Sequence, residues 1–139
     1  MRSGRPFASR GAATRAILKC ASAEKSSASL VPGRPIHRRE LKLSAAGLEV
    51  IDQVLTRGSH RLVTRLHLHP QVDVVRSDAG SATLRLSERT IRVEVAQGSL
   101  IVEDYAFSRE FGLMEPAKVL SINNLIDHSS RLSYRITAV

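Results

Sequence analysis

The fold is decided by residues 81–95, which read SATLRLSERTIRVEV. Apolar side chains take every second position near the end of this stretch, as Ile91, Val93 and Val95, and charged residues stand between them. The triplet at 84–86, Leu-Arg-Leu, alternates in the same way. A period of two with one apolar side is typical of a strand in a sheet that is covered on one face only.

Runs of this type follow one another along most of the chain. The predicted strands are His37–Ser44, Leu48–Val54, His60–His69, Val72–Arg76, Ser81–Leu86, Thr90–Val95, Leu100–Tyr105, Ala117–Ile122 and Arg131–Ala138. Glycine-containing turns separate several of them, and strands joined by two to five residues are expected to be antiparallel neighbours. The sequence therefore predicts an all-β fold, an antiparallel β-sandwich, with residues 107–116 forming a long loop.

The positive charge of the chain is unevenly distributed. The formal net charge is +8, but residues 1–39 carry nine Lys and Arg against one Glu, whereas residues 40–139 carry twelve basic and twelve acidic residues. A nucleic-acid-binding domain is expected to hold its positive charge on a folded face, so no nucleic-acid partner is expected. We predict a disordered basic extension over residues 1–31 and a β-sandwich domain over residues 32–139.

Sequence features that target a chain to membranes or to secretion are weak. No apolar run approaches the ~20 residues that span a bilayer, so no membrane partner is expected. Residues 1–23 are basic and rich in Ser and Ala but lack the apolar stretch of a secretory signal. An organelle transit peptide stays open as an alternative to a disordered extension or an upstream start site. The single cysteine, Cys20, excludes an intrachain disulfide.

The densest cluster of chemically active side chains is residues 65–70, which read RLHLHP. On a strand, Arg65, His67 and His69 would share one face with about 7 Å between successive members. Both imidazoles could therefore approach one ligand or one metal ion. The alternative is a pair of solvated histidines on an outer face.

Asp52 is unusual because it lies in register with the apolar residues Val50 and Val54, which predicts that it faces the core. A buried carboxylate is costly unless it is paired or bound to a metal. The alternatives to metal binding are a salt bridge with a nearby arginine or a bulge that turns Asp52 outward. Zinc accepts His and Asp ligands. His37, Asp52 and His67 could supply three from neighbouring strands, although Asp52 is expected to point inward and His67 outward.

No catalytic constellation appears in the sequence, and no catalytic residue is assigned. The chain has no glycine-rich phosphate loop, no Cys-x-x-Cys pair and no nucleophile elbow. Tyr134 lies in an apolar row and is expected in the core, whereas Tyr105 closes a strand and is expected to be more open.

The order of several short segments resembles the C-terminal β domain of the heparinase II/III-like family of polysaccharide lyases. These segments are Pro35–Arg39, Leu48–Asp52, Leu66–Pro70, Glu103–Tyr105, Glu110–Gly112 and Leu132–Ile136. The resemblance covers about residues 32–139.

The resemblance implies an activity that this chain is not expected to perform alone. The family carries out β-elimination on uronic-acid-containing polysaccharides, and most of its catalytic residues lie on a large α-helical toroid that precedes the sandwich. The chain is therefore expected to be a module, truncated or a remnant, that needs a toroid as a domain or partner chain. Family members are often periplasmic or secreted.

The resemblance also implies ligands and contacts. Some members bind a structural zinc in the β domain through His and Asp, which here match His37, Asp52 and His67, with His69 as the alternate. An acidic polysaccharide is the expected partner, with Arg65 and His69 as candidate substrate contacts. The alternative is a free-standing β-sandwich that binds acidic glycans or serves a structural role.

Overall fold

The structure is a computed structural model that describes residues 35–139 and the backbone of one strand nearer the N-terminus. The secondary structure of these residues is β throughout, and none of them forms a helix long and apolar enough to cross a membrane. The strands are β1 (Ala16–Cys20), β2 (Ile36–Ser44), β3 (Gly47–Leu55), β4 (His60–His67), β5 (Asp73–Ser77), β6 (Ser81–Leu86), β7 (Arg89–Val95), β8 (Ser99–Phe107), β9 (Glu115–Ile126) and β10 (Ser130–Ala138).

These strands form two antiparallel sheets. The larger sheet has seven strands in the order β1-β2-β3-β10-β7-β6-β5, and the smaller has three in the order β4-β9-β8. All nine predicted strands are present, and β6 has the predicted bounds. The predicted antiparallel β-sandwich is therefore confirmed.

The core lies between the two sheets. Val50, Val93 and Tyr134 of the larger sheet pack against Leu120 and Ile122 of β9 in one buried cluster. Burying an aliphatic side chain of this size contributes about 1.5–3 kcal/mol to the free energy of folding, so this cluster holds the sheets face to face. The prediction that Tyr134 belongs to the core is confirmed.

The expectation that strands joined by short segments are neighbours is wrong at four places. Residues 56–59, 68–72, 96–98 and 127–129 each carry the chain from one sheet to the other. The cause is geometric, because stacked sheets lie about 10 Å apart and three or four extended residues span that distance. A short connection therefore limits the distance between two strand ends without fixing which sheet the next strand joins.

The long loop predicted for residues 107–116 is shorter in the structure. β8 continues to Phe107 and β9 begins at Glu115, so the connection between these paired strands is residues 108–114. The tip of this hairpin loop exposes Phe111 fully, with Leu113 and Met114 beside it.

The extension predicted for residues 1–31 lies outside the described residues except for β1. This strand pairs with β2, with Cys20 in register with Arg39. At least residues 16–20 of the predicted disordered extension are therefore part of the larger sheet.

Candidate functional site

The first candidate site is built by the β2–β3 hairpin. Its turn consists of Ala45 and Ala46, and pairing counted outward from that turn places Arg39 opposite Asp52 and His37 opposite Val54. Residues paired in this way project from the same face of a sheet. Because Val54 is buried, that shared face is the inner face of the larger sheet.

The carboxylate of Asp52 is the centre of this cluster. Asp52 is 2% exposed. The Arg39 guanidinium donates from Nε to Oδ1 at 2.7 Å and from Nη2 to Oδ2 at 2.9 Å. His37 Nε2 lies 2.8 Å from Oδ1. Three close contacts therefore satisfy a group whose burial without partners would be costly.

The electrostatics of the cluster follow from these contacts. Burial raises the pKa of the Asp52 carboxyl, but the hydrogen bonds and charges of Arg39 and His37 outweigh burial and leave its pKa below the ordinary value. The hydrogen bond to Asp52 raises the pKa of Arg39. Burial raises the pKa of the Tyr134 phenol, which also feels the charges of Arg39 and Asp52. The contacts in this cluster therefore keep the Asp52 carboxylate ionised.

The chemical capability of this cluster lies in His37. Its side chain is 43% exposed while that of Asp52 is 3% exposed, so the imidazole bridges the buried carboxylate and the solvent. A carboxylate bonded to one ring nitrogen orients the imidazole. Such a histidine can present its other nitrogen to an external group as a hydrogen-bond partner.

His67 lies away from the other two predicted zinc ligands. It is the last residue of β4, in the smaller sheet, and its ring meets the Tyr105 ring edge-on with 4.8 Å between centroids. Asp52 points inward and His67 is exposed, as predicted. Among the described residues no group of three or more His, Cys, Asp and Glu is placed to hold a metal ion. The residues present therefore do not fit a three-ligand zinc site.

The second candidate site is the outer face of the smaller sheet. The inner face is set by Leu120 and Ile122 in the core, so alternate residues face outward. Ser121 of β9 pairs with Arg65 on one side and with Ile101 on the other. Val119 of β9 lies in the same way between His67 and Glu103. We call this surface the outer track; its residues are Arg61, Arg65 and His67 on β4, Ile101, Glu103, Tyr105 and Phe107 on β8, and the residues of β9 between them.

The outer track is ordered by contacts among its own side chains. Ser121 is buried and donates a hydrogen bond from Oγ to the Glu103 carboxylate. The Tyr105 hydroxyl donates to the Leu68 carbonyl at 2.6 Å, which ties β8 to the segment after β4. Arg61 Nη2 donates to Asn123 Oδ1 at 2.9 Å. Contacts of this kind hold the track in a fixed shape before any ligand arrives.

The two predicted substrate contacts lie at different points of this surface. Arg65 is an exposed residue of the outer track. His69 follows the end of β4, and its ring meets the Phe107 ring edge-on with 5.3 Å between centroids. The structure thus brings Arg65, His67 and His69 to one side of the smaller sheet, with aromatic rings beside both histidines.

A pocket of about 250 Å³ on the larger sheet is a weaker candidate. Glu49, Glu94 and Arg135 contribute to its lining, and the register places Arg135 between the two glutamates. Two acids against one base do not suit an acidic ligand.

Sequence reasoning missed the role of Arg39 and the aromatic part of the outer track. A signal for Arg39 was available, because a two-residue turn at Ala45 and Ala46 sets the hairpin register and hence the residue opposite Asp52. No local signal pairs Tyr105 or Phe107 with the histidines of β4, since β8 reaches β4 only through β9.

The fold and its surface define the chain as an antiparallel β-sandwich domain with a basic, aromatic-lined sheet face. The family described as heparinase II/III-like, C-terminal, matches residues 11–133, and the chain belongs to that family. The match begins inside the segment predicted as an extension and thus reaches further toward the N-terminus than the resemblance seen in the sequence. No curated protein sequence matches the chain.

Two solved structures share the fold. A heparan sulfate lyase from Pedobacter heparinus superposes with a TM-score of 0.72 and 11% identity, over 88% of this chain and 19% of that chain. A heparinase III with methylated lysines superposes with a TM-score of 0.61 and 14% identity, over 74% of this chain and 17% of that chain. The chain spans less than one fifth of the length of either lyase, and at these identities the likeness shows the fold alone.

Proposed function

We propose that this chain is the β-sandwich module of a polysaccharide lyase that acts on uronic-acid-containing polysaccharides by β-elimination. Membership in the heparinase II/III-like family, over residues 11–133, is the observation that carries the proposal. The similar solved structures are named as a heparan sulfate lyase and a heparinase III. An α-helical toroid, as a further domain or a partner chain, would supply the catalytic groups.

Within this function we assign the outer track to binding of the acidic polysaccharide. Arg65 is exposed on it and has room for a carboxylate or sulfate group, and His69 stands beside Phe107 at its end. Successive outward residues of a strand lie about 7 Å apart, so the positions from Arg61 to Phe107 form an extended strip. The strip has two arginines on β4 and two aromatic rings on β8 beyond Glu103, whose carboxylate is bonded to Ser121. Such a strip suits an extended anionic chain that also has apolar sugar faces.

A second function, a free-standing acidic-glycan-binding protein, is favoured by one observation. The candidate contacts Arg65, His67 and His69 all come from the described part of this chain, so binding by the track requires no additional domain. The two functions differ in whether a toroid completes a lyase, and they share the binding surface.

Binding is tested on a heparin column with the full chain. Replacing Arg65 and His67 together by alanine should lower the salt concentration needed for elution and weaken binding about fivefold or more, because an arginine contact and an imidazole contact are lost. The control is Arg131→Ala, an exposed arginine in the larger sheet, which removes an arginine charge elsewhere. Equal retention of the two variants would contradict the assignment and would point to the basic residues before residue 40.

Turnover is tested with heparan sulfate, heparin and alginate by the absorbance of the unsaturated uronate product. We expect no rise with the isolated chain, because it spans less than one fifth of the length of each lyase of similar fold. Product formation that begins on adding a toroid domain of the family would support the lyase module over the free-standing binder. Steady turnover by the chain alone would refute the need for a toroid.

A further inference from the structure

The contacts of Asp52 use the positions that a metal ion would need. Both carboxylate oxygens accept hydrogen bonds from the Arg39 guanidinium, and Oδ1 also contacts His37. A zinc ion binds carboxylate oxygen and imidazole nitrogen at about 2.0–2.2 Å. A zinc ion bound to either oxygen of Asp52 would have to compete with a hydrogen bond from the Arg39 guanidinium.

The negative charge of Asp52 is also already neutralised by Arg39. The guanidinium is a permanent cation that bonds a carboxylate through two parallel hydrogen bonds. A divalent ion placed beside it would be repelled at short range, and the third predicted ligand, His67, lies on the other sheet beside Tyr105. The hydrogen bonds of Asp52, the charge of Arg39 and the number of available ligands thus all disfavour a metal ion here.

We infer that Arg39 takes the place of a metal ion in this domain. Its guanidinium neutralises the buried Asp52 carboxylate, ties β2 to β3 and holds His37 in position without any divalent cation. Arg39 is also the residue that keeps the position closed to zinc. His37 and residue 39 project from the same face of β2 toward Asp52, so a histidine at position 39 would complete a set of two imidazoles and one carboxylate.

The experiment measures zinc bound to the full chain, prepared without a histidine tag, by equilibrium dialysis against micromolar zinc and elemental analysis. The native chain should hold no stoichiometric zinc, and its midpoint of thermal unfolding should be the same with zinc and with EDTA. Arg39→His should bind one zinc ion per chain, and zinc should raise its unfolding midpoint above the value in EDTA.

Two matched variants make the result specific. Arg38→His places the new histidine on the opposite face of β2, paired with Gln53, and should gain no zinc. Adding Asp52→Asn to Arg39→His should abolish the gained zinc.

Stoichiometric zinc in the native chain that is lost in Asp52→Asn would overturn the inference. Equal zinc binding by Arg39→His and Arg38→His, or none by a folded Arg39→His, would also overturn it. The measurement on the native chain decides the question even if Arg39→His fails to fold.

Discussion

Asp52 owes its ionised state to two neighbours that are themselves partly open to solvent. The side chains of His37 and Arg39 are 43% and 37% exposed, whereas the carboxylate is almost fully buried. Solvent screening weakens ion pairs at a surface, but a buried carboxylate that loses its partners bears a desolvation cost. Breaking the cluster should therefore cost more stability than breaking an exposed pair such as Arg85–Asp73.

The lowered pKa of the buried Asp52 carboxyl predicts how the stability of the chain depends on pH. The pKa of Asp52 is lower in the folded state than its ordinary value, so the unfolded chain takes up the proton first as the pH falls. The stabilisation by Asp52 is fully present above the unfolded pKa of about 4 and is lost as the pH falls through the folded pKa. Asp52→Asn should cost about 1–3 kcal/mol at pH 7.

Urea unfolding of the native chain and of Asp52→Asn between pH 7 and pH 3 measures this dependence. The difference in unfolding free energy between the two proteins should be constant from pH 7 to about pH 5 and should shrink below that. Other carboxylates, such as Asp78, whose pKa is lowered mainly by the Gly80 backbone N–H, cancel in the difference. A difference that grew on acidification would show that Asp52 is destabilised as an anion.

At the residue scale, the sequence predicts which side chains are buried better than it predicts which side chains contact one another. The inward orientation of Asp52 follows from its register with Val50 and Val54, and the structure confirms it. An arginine partner for Asp52 was one of the alternatives left open, and Arg39 is that partner. Local alternation reveals which side of a strand a residue occupies, but the identity of its neighbour depends on pairing between strands.

At the scale of elements, glycines with positive φ define two different kinds of turn. Gly47 begins β3 with φ of 125°, and Gly58 lies between β3 and β4 with φ of 82°. A Cβ at position 47 would lie 2.3 Å from the Ile136 carbonyl oxygen, whereas a Cβ at position 58 would meet nothing within 4 Å. Position 47 therefore requires glycine both for its positive φ and because a Cβ would clash with β10. Position 58 requires glycine for its positive φ alone.

Alanine substitutions at these two glycines should separate the two requirements. Gly58→Ala should cost about 1 kcal/mol of unfolding free energy, which is the strain of an L-residue at positive φ. Gly47→Ala should cost about 3 kcal/mol or more, because the backbone of β10 must also move. Urea unfolding of both variants measures the costs, and equal costs would mean that the approach of β3 to β10 is looser than the structure shows.

Strand pairing also shows which parts of the fold can be predicted from the sequence. Hairpins with tight turns, such as β2–β3 and β6–β7, are paired as expected. The insertion of β10 between β3 and β7 has no local signal, because those strands are distant in sequence. The move of β4 into the other sheet likewise has no local signal, and it separates His67 from Asp52.

At the scale of the whole molecule, the two sheets depend on a shared core. Leu120, on the central strand of the smaller sheet, is 0% exposed and packs in one cluster with Val50 and Tyr134 of the larger sheet. Each sheet covers the apolar face of the other, so neither is expected to persist alone. Unfolding should therefore be a single transition for both sheets.

The two tyrosines of the chain allow this to be tested, because Tyr105 lies on β8 in the smaller sheet and Tyr134 on β10 in the larger. Fluorine NMR of the chain labelled with 3-fluorotyrosine should show both tyrosine signals lost at the same urea concentration.

Leu120→Ala should lower the unfolding free energy by about 3–4 kcal/mol and should shift the urea midpoints of both tyrosine signals equally. Leu125→Ala, on the same strand but 77% exposed, should change it by less than about 0.5 kcal/mol. Loss of the Tyr105 signal alone in Leu120→Ala would show that the larger sheet is stable by itself, and the outer track could then melt without disturbing the Asp52 cluster.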